Sequence, residues 1–121
     1  MSNLYARAVF FVEDAERSLR FYTERLGFSE DWKYQEGGRT FVFQVSLFGF
    51  ELILNEIDAR TQTRAGQGRV FIGLDDDQVE RIRDHFAKNS IQPEHVDWGR
   101  PTLVVRDVDQ NELFFWLPAA V

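Results

Sequence analysis

Few side chains in this chain can do chemistry, and their spacing removes most reactions. There is no cysteine, which excludes disulfides, thiolate zinc sites, iron–sulfur clusters and a Cys nucleophile together. Of the two histidines, His85 falls inside a predicted helix beside Phe86 and His95 in or beside a predicted strand. Neither has a second ligand at a short helical spacing, so each is read as a surface or packing residue. Ser18 has no base that can be placed beside it, Ser46 has no histidine in a triad relation, and no Gly-rich phosphate loop is present. Asp75-Asp76-Asp77 reads as a set of helix-capping carboxylates. The aromatic residues are the positive signal: Phe 12, Trp 3 and Tyr 3 make up 15% of the chain, more ring than a small core needs. Trp32, Phe41, Phe43 and Phe48 fall in the outer strands of the first half, and Trp98 in a loop beside Gly99. Flat rings on a groove wall suit planar heteroaromatic ligands, each stack adding about 1 kcal/mol beyond area burial. Core packing is the reading for the phenylalanines; for Trp98, ligand contact and interface packing are both open.

Charge narrows the ligand further. In 121 residues, Lys+Arg 14 against Asp+Glu 20 leave a net charge of −6 with no basic run, which argues against nucleic acid. A cationic ligand is attracted at long range and an acidic one repelled, with Glu30, Asp31 and Asp97 as rim contributors. The opening MSNLYARAVF lacks the pattern of an export signal, and apolar residues nowhere run for the ~18 positions of a membrane span. A cytoplasmic protein with no membrane partner is expected. One domain burying roughly two-thirds of its unfolded surface is the simplest expectation for this length.

The elements that must position these residues follow from periodicity. Arg7 to Val12 reads as a strand; Asp14 caps a helix over about 15 to 26, with Ala15, Leu19, Tyr22 and Leu26 at helical spacing before Gly27. Phe28 to Tyr34 is a weak edge strand, and Thr40 to Phe48 a strong one. After Gly49, Phe50 to Glu56 turns Phe50, Leu52 and Leu54 to one face and Glu51, Ile53 and Asn55 to the other. The polar stretch 58–67 is a linker. The pattern then returns: a strand from Arg69 to Leu74, a helix with an Asp77-x-x-Glu80 capping box and a Val79, Ile82, Phe86 stripe closed by Asn89, and three more strands ending near Pro118. The order is βαβββ written twice, the second copy beginning at Arg69, 62 residues after Arg7. The fold class is α+β, two tandem βαβββ modules (about 5–57 and about 68–118 around the linker) forming one domain whose curved sheets leave a central groove. A ferredoxin-like sandwich has fewer strands per helix. Alternation turns Arg7, Val9 and Phe11, and likewise Arg69 and Phe71, away from the helices and toward the groove.

The stretch Val12 to Phe28, V-E-D-A-E-R-S-L-R-F-Y-T-E-R-L-G-F, resembles the opening of the vicinal oxygen chelate superfamily: glyoxalase I, extradiol dioxygenases, fosfomycin-modifying enzymes and bleomycin resistance proteins. The carriers are V-x-D, Ser18, Phe21-Tyr22 and Leu26-Gly27-Phe28, and the repeated βαβββ order covers nearly the whole chain. F-Y-T-E-R-L-G-F-S-E-D-W and Trp98 to Asp107, W-G-R-P-T-L-V-V-R-D, are similar to the bleomycin-binding branch. Two departures stand out. Asp107-Val108-Asp109-Gln110-Asn111 replaces the usual Asp-Pro-x-Gly turn, a change read as having no functional meaning. Ala8 stands where the branch tends to carry the proline associated with exchange of the N-terminal arm, so arm exchange is not carried over.

The superfamily's enzymes hold a divalent metal through His and Glu at one position on each of four strands. The resemblance places those positions at Arg7, Glu51, Arg69 and Phe114, of which Glu51 alone could ligate. A guanidinium keeps its proton and carries positive charge into the cation's place, so no metal and no cofactor is expected. Arg7, Glu51 and Arg69 would form a charge cluster filling the vacated position, either as a structural device or with one arginine left to grip a ligand. The resemblance implies a non-catalytic homodimer that sequesters a cationic aromatic antibiotic of the bleomycin type in grooves between subunits. The expected ligand-binding residues are Trp32, Phe41, Gln44, Trp98, Arg100, Phe114 and Trp116. The rival is a metal-dependent lyase or dioxygenase of the same superfamily that recruits Gln44 or His95 around Glu51; a third reading is a member whose groove is closed by its own side chains.

Overall fold

The computed structural model describes residues 5–97 and 99–118; Trp98 lies outside them. The first half is β1 (Ala8–Val12), α1 (Ala15–Arg20), which continues into a π-helical turn over Phe21–Arg25, β2 (Ser29–Glu36), β3 (Arg39–Leu47) and β4 (Phe50–Glu56). The second half is β5 (Arg69–Gly73), α2 (Asp76–Lys88), β6 (Glu94–Asp97), β7 (Pro101–Arg106) and β8 (Glu112–Trp116). Each half folds into a four-stranded sheet, ordered β1-β4-β3-β2 and β5-β8-β7-β6, with β1 parallel to β4 and β5 parallel to β8. The doubled βαβββ order therefore holds.

Local chemistry sets the helix ends. Asp14 adopts an extended conformation and accepts a hydrogen bond from the Arg17 amide, capping α1. α2 starts earlier than the Asp77-x-x-Glu80 motif predicts. Its capping box is Asp75 with Gln78, each side chain bonded to the other's backbone amide. Asp75 wins because it is the residue left extended (φ −89°, ψ 175°) as β5 ends, whereas Asp77 is already inside the first turn. Asn89 closes the helix, its side-chain amide donating to the His85 carbonyl at 2.9 Å.

Strand alternation gives each sheet one face for the core. Phe10, Val12, Leu52 and Leu54 from the first sheet and Ile72, Leu103, Leu113 and Phe115 from the second are buried in a single cluster with Ala15, Tyr22, Ile82 and Phe86 from the helical segments. Burying each large apolar side chain contributes about 1.5–3 kcal/mol, so the shared cluster binds the halves as well as filling them. The described residues do not close over the opposite faces: Val9, Trp32, Tyr34, Phe71 and Trp116 all remain substantially exposed there or at their margins.

The turn between β7 and β8, whose sequence departs from the usual Asp-Pro-x-Gly, is a structural joint between the halves. Asp107 is 3% and Asn111 0% exposed. Asp107 accepts from the Asn111 and Asp109 amides, both at 2.9 Å, and from the Tyr22 hydroxyl of the first half at 2.9 Å. Asn111 donates to the Phe11 carbonyl at 3.0 Å and accepts from the Gly68 amide at 2.8 Å. Asp109 receives Arg17, Ser18 and the Glu13 amide. Gly66 sits at φ +78°, where a Cβ would collide with the Asp109 carbonyl. Asp and Asn hold this turn because their short acceptors satisfy backbone and helix together.

Burial holds the Tyr22 hydroxyl well above its ordinary value of 10.0, with the charges of Asp107 and Asp109 adding to it. Burial likewise raises Asp107, against the lowering effect of hydrogen bonds from Tyr22 and Asn111. The folded chain thus retains a Tyr22 proton that the unfolded chain releases above pH 10. Stability from this group is complete below pH 10 and is lost as the pH climbs through the folded value. Tyr22→Phe should cost about 2 kcal/mol in urea unfolding at neutral pH and flatten the decline above pH 10; an unchanged neutral stability would refute the joint.

Candidate functional site

The open face of the first sheet gathers a mixed-charge cluster. Gln44 and Ser46 lie on β3 opposite Ile53 and Glu51 of β4, and Trp32 of β2 stands opposite Gln44. The β2–β3 register slips between Glu30 and Trp32, a bulge that re-aims Asp31 onto this face. Asp31 accepts from Gln44 Nε2 at 2.9 Å and from Ser46 Oγ at 2.9 Å; the same Gln44 nitrogen donates to Glu51 at 3.1 Å. Arg7 Nε reaches Glu51 at 3.5 Å, and its guanidinium lies over the Tyr5 ring. Asp31, expected at the rim, is a member of the cluster.

Phe41 is not brought to this place. It has the opposite parity to Gln44 on β3, meets Tyr34 edge-on at 5.3 Å, and lines a separate hollow of 260 Å3 with Arg39, Asn55 and Asp58. Beside it the Glu56 carboxylate, 8% exposed, takes both Arg39 and the Ala15 amide.

On the second sheet the open face is aromatic and carries arginines. Phe71 stacks at a tilt against Phe114 (4.8 Å between centroids) and Trp116 (5.1 Å). Arg69 lies over the Phe114 ring at 4.7 Å and Arg100 over Trp116 at 5.4 Å; Arg100 also donates to the Leu117 carbonyl at 2.7 Å. Phe114 is 2% exposed, so it supports Phe71 and Arg69 from below instead of offering a surface to a ligand. Phe71, absent from the expected ligand contacts, is the ring left exposed above it. The alternation of β5, which had already turned it away from α2, was the signal.

Register corrects the fourth strand position. On the first sheet, one residue before the pair Ala8 and Leu52, Arg7 stands beside Glu51; on the second, Arg69 pairs in register with Glu112. Glu112, two residues before Phe114, is therefore the counterpart of Glu51. It accepts from Arg69 Nη2 at 2.9 Å and from Arg106, which also reaches Glu94 at 2.9 Å; the Glu94 bond raises Arg106. The expected Arg7–Glu51–Arg69 cluster resolves into two separate Arg–Glu pairs, one per sheet, because β8 brings its own carboxylate.

These four residues do not fit a divalent ion. Both carboxylates are engaged by guanidinium groups, which have no lone pair to give, and among the described residues no three of His, Cys, Asp and Glu stand together as a metal ligand set. Gln44 does reach Glu51, but His95 pairs with Leu103 and lines a hollow with Arg83 and Phe86 on the α2 side. It belongs to the other face of the sheet.

The sequence pattern of the Glyoxalase/Bleomycin resistance protein/Dioxygenase superfamily matches residues 5–115. No curated protein matches the chain. Solved structures do. The glyoxalase/bleomycin resistance protein from Catenulispora acidiphila is 18% identical, with 96% of this chain and 99% of that one covered and a TM-score of 0.76. The bleomycin-binding protein of Streptomyces verticillus, complexed with copper(II)-bleomycin, is 17% identical over 100% and 99% at a TM-score of 0.70. A lactoylglutathione lyase from Agrobacterium tumefaciens is 17% identical over 96% and 94% at 0.67. One fold thus serves a binder and an enzyme, and side chains must tell them apart.

Because Arg7 and Glu51 are each about one-third exposed, their pairing is screened. Glu51→Gln should lower unfolding stability by less than about 1 kcal/mol, and by less still in high salt. A loss above about 3 kcal/mol would show that the pair holds the sheet together.

Proposed function

The chain belongs to the glyoxalase/bleomycin resistance protein/dioxygenase superfamily, and from that premise we propose that it is a non-catalytic small-molecule binding protein. Its ligand is a cationic aromatic compound of the bleomycin type, which it sequesters without changing. The observation that carries this reading is the pair of Arg–Glu contacts, Arg7–Glu51 and Arg69–Glu112, standing where the superfamily's enzymes need lone-pair donors. With those positions closed to a cation, what the two open faces offer is ring surface: Trp32 at 40%, Phe71 at 41% and Trp116 at 36% exposure.

The working form is a homodimer. The first sheet's face presents two acids, Asp31 and Glu51, against one arginine, whereas the second presents three arginines, Arg69, Arg100 and Arg106, against two acids, Glu94 and Glu112, beside its rings. One subunit's first face and its partner's second face are complementary in charge, and two such contacts related by a twofold axis close without leaving either face bare. Trp32 and Trp116 then stand on opposite walls of each groove, where a flat ligand stacks between them. The net charge of −6 draws a cation toward the assembly.

Titration of metal-free bleomycin by calorimetry and tryptophan fluorescence tests the function, with light scattering to read the assembly. Saturable binding at one ligand per chain to a particle of twice the chain mass is expected, and Trp116→Ala should weaken it about tenfold. No binding at high micromolar ligand would sink the reading, as would a monomer that binds fully.

A further inference from the structure

Resting on the binding function above, we propose that Asp31, Gln44 and Trp32 form the subsite for the ligand's cationic nitrogen, an ammonium or amidinium with N–H groups to give. Both hydrogens of the Gln44 side-chain amide are spent on acids, Asp31 at 2.9 Å and Glu51 at 3.1 Å. Its carbonyl oxygen is buried and, among the described residues, has no hydrogen-bond partner, on a residue only 3% exposed. An acceptor kept from water without a donor is a cost that a bound N–H removes. Gln44 thus sits between two carboxylates with its acceptor waiting.

The charges point the same way. Arg7 neutralises Glu51, whereas among the described residues Asp31 faces only the neutral donors of Gln44 and Ser46. Asp31 is exposed, and among the described residues no cation pairs with it. Trp32 follows it on β2, directly opposite Gln44 on the same face, and a ring face adds attraction for an organic cation. A hard metal ion fits less well, because the amide nitrogen, a donor, points at both acids where the metal's oxygen ligand would be required.

The test uses two probes matched in ring and length, 2-naphthylmethylammonium and the neutral 2-naphthylmethanol, titrated into wild type and Asp31→Asn by calorimetry and tryptophan fluorescence. Wild type should bind the ammonium about tenfold more tightly than the alcohol. Asp31→Asn should erase that preference by lowering the ammonium's affinity to that of the alcohol. Equal affinity of the two probes for wild type, binding of neither, a preference that survives in Asp31→Asn, or displacement of the ammonium by millimolar calcium or magnesium would each overturn the subsite. Bleomycin separates this inference from the function it rests on. Binding equally to wild type and Asp31→Asn leaves the function and removes the subsite; an ammonium preference lost in Asp31→Asn without any bleomycin binding leaves the subsite and removes the function.

Discussion

The two halves of this protein are held in register by a buried turn, and the positions of both open faces depend on it. Asp107 and Asn111 are almost wholly removed from water, and their polar atoms bond the turn's own amides, the Tyr22 hydroxyl, the Phe11 carbonyl and the Gly68 amide. Removing any one partner would strand a buried polar atom, so the network permits essentially one arrangement of α1 against the second sheet. The apolar cluster shared by the sheets supplies most of the attraction; being non-directional, it cannot by itself choose that arrangement.

Once the halves are fixed, strand alternation divides the labour. Every strand of a sheet covered on one side must give alternate residues to the core, and what remains is free for chemistry. On both sheets the parallel pair of strands spends that freedom on an arginine beside a glutamate. The repetition matters. One arginine on each sheet, each beside a glutamate, commits both carboxylates to ion pairs satisfied within the protein.

The faces then differ in what surrounds the pairs. The first adds Asp31 through a bulge and is acidic; the second adds a tilted row of Phe71, Phe114 and Trp116 beneath arginines. A fold shared with both a bleomycin-binding protein and a lactoylglutathione lyase sets where side chains stand, and the identity of those side chains sets what the groove can hold.

Much of this was legible in the residues themselves. Periods of two and 3.6 placed the strands and helices, the repeat exposed the doubled topology, and alternation turned Arg7, Arg69 and Phe71 to the open faces, because each of these signals is local along the chain. The partner of Arg69 was not legible: Glu112 was found only through the β5–β8 register, which depends on hydrogen bonds between strands far apart in sequence and on the length of the β7–β8 turn. For the same reason Asp31 read as a rim charge, since a bulge shows itself only against the opposing strand, and the burial of the polar turn Asp107 to Asn111 did not show in its sequence. Sequence by itself determined the doubled βαβββ order, written in residue type and spacing, and the placing of two guanidinium groups without lone pairs at Arg7 and Arg69. Tertiary structure alone decided which carboxylates those arginines meet, because pairing across strands is settled by where the backbone ladders come to rest.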